Sequence, residues 1–368
     1  MMSILPEPGT PKVALDSPVL CIDLDVIESN IASMAAFMAE RGKQWRPHEK
    51  CHKTPAIAQL QKEAGAIGVT CAKVSEAEVM AAGGITDILV ANMIVGEPKV
   101  ARVARLCESA DPIIAVDHFA QAQPLADACH RAGVTCRVIL EVNIGLDRVG
   151  VLPGRDALEL AQATAALDGL EFVGIMGYEG HLLRVEDPEE KRSQINSAIS
   201  LLGETRDALV EAGLCCDIVS AGGTGSYQFT SDCPAVTELQ AGGGIFADPV
   251  YQLQMGVTGL DYGLTVLATV VSRPEKNRAV LDSGRKTLNP DPHTPLVKGF
   301  PGTEVIRMSA EHCELQLVDD AVDLQIGDKV ELVVGYADFT TVLHDHFYGC
   351  RGDVLEVVWP IAGRGKLQ

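Results

Sequence analysis

From residue 44 to residue 242, short apolar and β-branched runs alternate with longer, alanine-rich stretches whose apolar residues recur at helical spacing. That alternation predicts repeated βα units. The predicted strands are 44–50 (QWRPHEK), 68–72, 87–93, 113–117, 136–143, 172–178, 217–223 and 238–242. Between them, segments such as TPAIAQLQKEAG and VSEAEVMAAGG carry helical periodicity and stop at glycine, as crossover helices do. Eight strands close a parallel barrel, so the expected fold class is α/β, a (β/α)8 TIM-type barrel, with its chemistry at the strands' C-terminal ends. After about residue 260 the pattern becomes short alternating strands, LTVLATVVSRP, NRAVLDSG, DKVELVVGYAD and GDVLEVVWPIA, which predict a smaller, mostly antiparallel β domain. The early run PVLCIDLD (18–25) is surplus to the barrel and is assigned to this second unit. The expected division is therefore a barrel over 26–258 and a β domain made of 1–25 and 259–368.

Composition narrows the partners. The 368 residues carry 30 Lys plus Arg against 50 Asp plus Glu, a net charge of −20, which argues against nucleic acid and anionic membranes. Eleven cysteines without a Cys-x-x-Cys pair do not read as a disulfide framework or a zinc site and suit a reducing cytosol. No secretory pattern and no apolar run near the roughly 20 residues of a membrane span is present, so a cytoplasmic location is expected.

In so acidic a chain, QWRPHEKCHK (44–53) is unusual: one arginine, two histidines and two lysines stand within ten positions. Read as the first barrel strand, its alternation puts Arg46, His48 and Lys50 on one inward face, with Lys50 last, at the reactive end. Cationic neighbours and desolvation would then lower the Lys50 pKa and free its amine for Schiff-base chemistry. A solvated basic turn is the competing reading.

Three further stretches fall at predicted strand ends. VSAGGTGSY (219–227) is a glycine-rich loop whose N–H groups suit a phosphate, although a tight turn alone would also explain it. EVNIGLDRVGV places Arg148 where a guanidinium can hold an anionic oxygen, or where it is simply a surface arginine. GIMGYEGH ends with Tyr178 and His181, which suit ring packing and proton exchange, or ordinary core packing. Together, a lysine, a phosphate loop, an arginine and a ring-packing tyrosine form the set that pyridoxal 5'-phosphate requires.

In order and spacing, LDSPVLCIDLDVIESNI, RPHEKCHKTP, CAKVSEAE, DILVANMIVG, IGLDRVGV, GYEGH, SAGGTGSY, ELQAG, VLDSG and HDHFYGCRGD span nearly the whole chain. The sequence resembles the fold-type III pyridoxal-phosphate enzymes with an alanine racemase-like barrel. Within these it is similar to the family of D-threonine aldolase, 3-hydroxy-D-aspartate aldolase and D-serine dehydratase. The resemblance implies that Lys50 is the Schiff-base lysine, that Arg148 meets the cofactor's phenolic oxygen, and that Tyr178 lies beside the ring. It also implies that Gly222, Gly223 and Thr224 bind the phosphate, that Gln240 of ELQAG joins the cofactor site, and that His181 lies close by as a catalytic candidate. It further implies a homodimer in which one subunit's β domain closes the other's active site.

The chain departs from this pattern in one place. Metal-dependent members carry a Gly-His-Cys-Asp-Pro-Thr-like stretch, and here the sequence reads VGYADFTT. Tyr336 stands where the metal-binding histidine is expected, and Asp338 where the acid is. Asp338 is thus the candidate ligand for a divalent Mg or Mn ion that lacks its usual partner, while His344, Asp345 and His346 offer a substitute cluster. Tyr336 is instead a candidate acid or base, or a structural residue.

The expected function is cleavage of small D-3-hydroxy amino acids to glycine and an aldehyde. Dehydration with deamination, or metal-free racemisation, is the alternative chemistry. A non-catalytic pyridoxal-phosphate carrier, or a cofactor-free barrel enzyme with phosphate-bearing substrates, is the alternative class.

Overall fold

The computed structural model describes residues 5–317 and 323–368. Its strands are β1 (Val19–Asp23), β2 (Gln44–Trp45), β3 (Val69–Cys71), β4 (Asp87–Val90), β5 (Asp111–Val116), β6 (Cys136–Glu141), β7 (Leu170–Met176), β8 (Ile218–Ala221) and β9 (Glu238–Leu239). They continue with β10 (Leu264–Glu275), β11 (Arg278–Leu281), β12 (Leu296–Val297), β13 (Thr303–Met308), β14 (Cys313–Leu317), β15 (Lys329–Val333), β16 (His346–Arg351) and β17 (Val354–Pro360). The longer helices are α1 (Leu24–Glu40), α2 (Pro55–Glu63), α3 (Val74–Ala82), α4 (Glu97–Leu106), α5 (Phe119–Ala132), α6 (Arg155–Ala165) and α7 (Pro188–Glu211).

Each of the eight strands expected between 44 and 242 is present, and all pair in parallel, in the order β2-β9-β8-β7-β6-β5-β4-β3. The two ends of that path meet. His48 bridges Thr70 in parallel, Thr70 N–H donates to the Pro47 carbonyl at 2.8 Å, and its hydroxyl donates to the Arg46 carbonyl at 3.0 Å. The sheet is thereby curled into a TIM-like barrel.

The helices between the strands have local causes. The Asp187 carboxylate accepts from Glu190 N–H at 2.8 Å and Pro188 opens α7, which together satisfy or remove donors that a first turn leaves unpaired. At the other end of a helix, Gly133 closes α5 in the left-handed conformation at φ 70°, where a side chain would be strained.

The expected first strand is corrected. Regular pairing in QWRPHEK stops at Trp45, the chain runs extended to His48, and Glu49–Cys51 turns into a single 3-10 turn. Lys50 therefore sits on a turn beyond the strand, and the alternation argument reaches only as far as His48. Trp45 is buried and donates its indole N–H to the Ala241 carbonyl at 2.7 Å, which ties this segment to the loop after β9.

The second sheet has nine strands, and β1 lies in its middle. It pairs antiparallel with β10 and parallel with β16, so the 18–25 run is built into this sheet rather than the barrel. The other pairings described are antiparallel. Strands β12, β13, β14 and β16 were not expected from the sequence. In β13 the register shifts between Val305 and Arg307, which breaks the period-two alternation that marks a strand, and β12 is two residues long. No helix of the described residues is long and apolar enough to cross a membrane.

Candidate active site

A cavity of about 460 Å³ opens at the C-terminal ends of the barrel strands. Lys50, Arg148, Tyr178, Gly222, Gly223, Thr224, Gln240 and Tyr336 all line it, although they come from six separate segments of the chain. Asp338 joins them by contact, since its Oδ2 lies 2.9 Å from Lys50 Nζ. His181 is not part of the lining. It is exposed, and its ring lies so close to Gly145 that a Cβ there would approach Nε2 to 2.8 Å, which places it on the loop that carries Arg148.

The five basic residues of 44–53 separate sharply. Arg46 is 2 % exposed and points to the opposite pole of the barrel. There it donates from Nε to Glu238 at 3.0 Å and from Nη1 to Asp87 at 2.7 Å. Asp87 also accepts from Arg137 at 2.8 Å, and Arg137 reaches Asp111 at the same distance. His52 Nε2 stands 2.6 Å from Glu49 Oε2, and Lys53 is ion-paired with Glu76, all four being buried. His48 lines the cavity, accepts the Lys50 N–H on Nδ1 at 3.3 Å, and is held well below the usual histidine range by burial and then by Lys50.

The electrostatic expectation for Lys50 is therefore reversed. Of the two cations expected behind it, Arg46 is neutralised by its carboxylates and His48 is uncharged. The Asp338 carboxylate raises the Lys50 pKa above the ordinary lysine range, and this outweighs the desolvation that would lower it. The side chain is 43 % exposed, but to an enclosed cavity rather than to bulk water, so the pair is weakly screened. Lys50 is thus stored as an ammonium with a proton acceptor beside it.

Asp338 lies in the short helix Ala337–Thr340, whose start is pinned to the barrel. Asp248, 2 % exposed, accepts the Ala337 N–H at 3.0 Å and the Tyr251 N–H at 3.2 Å. Burial pushes its carboxyl up to about 8. Tyr336 donates its hydroxyl to Asp338 Oδ2 at 3.1 Å and packs edge-on against Tyr251 and Phe339. Burial, and after it Asp338, raise the Tyr336 pKa above the usual phenol range, so this hydroxyl is a proton donor rather than a base. The second Asp338 oxygen, Oδ1, is buried without a hydrogen-bond partner.

Two glycine-rich turns face each other across the floor. One follows β8 and contains Gly222, Gly223 and Thr224; the other follows β9 and contains Gly242 and Gly243. They are joined where Gly244 N–H donates to Thr224 Oγ1 at 3.2 Å. Bulk is excluded on both sides. A Cβ on Gly242 would stand 2.2 Å from the His48 carbonyl oxygen, and one on Gly243 2.6 Å from the Tyr251 hydroxyl. The backbone N–H groups of Thr224, Gly242 and Gly243 find no acceptor among the described residues. Converging unpaired donors in a cradle without side chains fit a phosphate. Tyr178 supplies a ring face nearby, with the Arg148 guanidinium 5.8 Å from its centroid, and Gln240 donates to Ser220 at 3.0 Å. The cavity therefore fits pyridoxal phosphate.

For a divalent metal ion, Asp338 offers one uncommitted oxygen, Oδ1. Asp338 Oδ2 already receives an ammonium and a phenol, and no trio of His, Cys, Asp or Glu donors among the described residues includes it. His344 places Nε2 2.6 Å from the Thr287 carbonyl, and Asp345 is ion-paired with Arg364, so two of the three members of the substitute cluster are committed elsewhere.

Sequence reasoning missed Asp248, Glu141, Asn92 and Tyr251. Glu141 ends β6 and lines the cavity, and burial raises its pKa to about 7. A carboxylate closing an apolar strand run, EVN after CRVIL, is the signal that could have found it.

Comparison with known proteins bears on this site. Residues 22–249 match the family model of the alanine racemase N-terminal domain, and residues 263–350 match a putative serine dehydratase domain. The chain is 35% identical to 3-hydroxy-D-aspartate aldolase of Paracoccus denitrificans (strain Pd 1222), covering 98% of this chain and 95% of that one. It is 34% identical to a D-threonine aldolase of Arthrobacter sp, with the same coverage. Among solved structures, D-threonine aldolase from Filomicrobium marinum superposes with a TM-score of 0.96 at 38% identity, covering 99% of each chain.

Proposed function

The chain belongs to the family built from an alanine racemase N-terminal domain and a serine dehydratase domain, and from that premise we propose that it is a pyridoxal-phosphate lyase cleaving small D-3-hydroxy amino acids to glycine and an aldehyde. The observation that carries this reading is the meeting, in one cavity, of Lys50 beside a proton acceptor with two glycine turns in which the Thr224, Gly242 and Gly243 N–H groups find no acceptor among the described residues. Bound there, pyridoxal phosphate supplies a carbonyl for amines to condense with and an electron sink beside the bond that breaks. Lys50 would hold its carbonyl carbon, the Gly222–Thr224 and Gly242–Gly243 turns its phosphate, Tyr178 its ring face, and Arg148 its phenolic oxygen. Gln240 completes the lining, and His181 acts at most by positioning the Arg148 loop.

The chain's own groups account for the protons. The Lys50 ammonium becomes a nucleophile only after giving up a proton, and Asp338 Oδ2 is the acceptor in contact with it. Retro-aldol cleavage removes the proton of the substrate's β-hydroxyl as the Cα–Cβ bond breaks, releasing the aldehyde and leaving Cα to be protonated. Once the proton taken from Lys50 has passed to solvent, Asp338 Oδ1, buried and unpartnered, is the base available for that hydroxyl, and the Tyr336 phenol holds the carboxylate in place. In this reading Asp338 acts without a divalent ion. Dehydration to ammonia and a keto acid is the second reading, favoured by the serine dehydratase match over residues 263–350.

A homodimer and a cytoplasmic location belong to the same proposal. Val149 in the cavity lining and Phe339 against Tyr336 are exposed apolar side chains that a second copy would cover. All eleven cysteines are free, as a reducing compartment allows.

The deciding experiment incubates the pyridoxal-phosphate holoenzyme with both enantiomers of threonine, serine, 3-hydroxyaspartate and alanine, with and without EDTA or Mn. Glycine and an aldehyde from the D-hydroxy amino acids, unchanged by EDTA, are expected. Ammonia and a keto acid would establish the dehydratase, exchange at Cα with loss of chirality the racemase, and loss of activity in EDTA would overturn the metal-free assignment. The Tyr336→His enzyme is expected to acquire Mn-dependent cleavage.

A further inference from the structure

Cys107 caps the C-terminus of α4, Cys129 lies in the last turns of α5, and Cys136 opens β6. Their separation in sequence hides any ligand spacing, yet the fold brings all three sulfurs within 4.8 Å of one another. The site lies at the start of β6, the pole opposite Glu141 and the cavity. No other trio of His, Cys, Asp or Glu donors among the described residues meets this condition.

We propose that Cys107, Cys129 and Cys136 form a binding site for one thiophilic, redox-inert divalent cation of the zinc class. Around a metal with metal–sulfur bonds of about 2.3 Å, three sulfurs stand about 3.8–4.0 Å apart, a small contraction from the ceiling seen here. The donor set is sulfur alone, and soft thiolates select such cations over Mg, Ca or Mn. Cys129 and Cys136 are fully buried while Cys107 is half-buried, so the cation enters on the Cys107 side, where a water completes four-coordination.

Binding displaces the thiol protons, leaving three thiolates around one dication and a net charge of −1. The site joins α4, α5 and β6 at a place the active-site chemistry does not touch, so its expected role is structural.

The test is titration of the holoenzyme with Cd2+, read by thiolate-to-cadmium charge-transfer absorption, with Zn2+ as competitor. Cys215, the exposed cysteine, is first replaced by Ser to remove an adventitious thiol. One Cd2+ per chain, displaced by Zn2+ and accompanied by proton release and a higher Tm, is expected. Cys129→Ser should abolish binding. Because burial of a serine there can unfold the chain, Cys107→Ser is the second variant, and at this half-buried position it should weaken binding at least tenfold while circular dichroism stays unchanged. No saturable binding, or binding weakened less than tenfold in Cys107→Ser, would overturn the proposal. So would a mass deficit of two hydrogens locating a disulfide among the three, which would make them a redox pair instead.

Discussion

Arg46 and Lys50 are four residues apart in one basic segment, yet they serve the two poles of the barrel in opposite ways. At the Arg46 pole every charge is answered, with Arg46 between Glu238 and Asp87, and Arg137 between Asp87 and Asp111. At the Lys50 pole the accounts stay open. Asp338 keeps an unpartnered buried oxygen, the N–H groups of Thr224, Gly242 and Gly243 lack acceptors among the described residues, and the carboxyls of Glu141 and Asp248 are pushed up to about 7 and about 8. Satisfied buried charge marks stability, and unsatisfied polar groups converging on a cavity mark a place prepared for a ligand.

The largest effect that would break this contrast belongs to Lys50. Lys50→Ala should lower turnover by roughly 10⁴-fold or more, as loss of a covalent nucleophile does, while the urea midpoint stays near that of the parent. Borohydride should trap cofactor at Lys50 in the parent and at no residue in the variant. Trapping at another lysine would move the site.

At the other pole the expected damage is to stability. Arg46→Leu leaves Glu238, 1 % exposed, as an uncompensated buried carboxylate. Breaking one partner of such a pair costs about 3–5 kcal/mol, measurable by urea unfolding. The folded fraction should retain the parental KM. A raised KM with unchanged stability would show that Arg46 serves the cavity.

The same contrast explains what the sequence could convey. The period-two and helical patterns predicted every barrel strand because barrel strands are buried on both faces and read as apolar runs. The cofactor candidates were legible because glycine turns and a lysine follow strand ends, whatever the exact boundaries. Which charge answers which was not. Arg46 meets Glu238 and Lys50 meets Asp338 across 192 and 288 residues, distances that alternation within QWRPHEK does not span. Hence the sign of the Lys50 shift came out reversed, and Asp248, which holds the Tyr336–Asp338 segment, went unnoticed. His181, expected close to the site, packs against the Gly145 loop that carries Arg148 and lies outside the cavity lining.

A smaller effect sharpens the comparison through pH. The Asp248 carboxyl has a folded-state pKa of about 8 against 3.8 for the free side chain, burial being the main cause. Between those values the folded chain holds a proton that the unfolded chain has lost, so this group's contribution to stability declines as pH rises through that window and is level above it. The slope for one group is at most about 1.4 kcal/mol per pH unit. The Ala337 and Tyr251 N–H groups favour the ionised form and so narrow the window without changing that slope. Asp248→Asn keeps an amide oxygen for one of those donors and cannot ionise. Its urea midpoint should therefore decline less between pH 5 and 8 than that of the parent, the two curves lying closest at the acidic end. Parallel curves would mean that Asp248 is already ionised in the folded protein, and that the pole around Lys50 carries more negative charge than its burial implies.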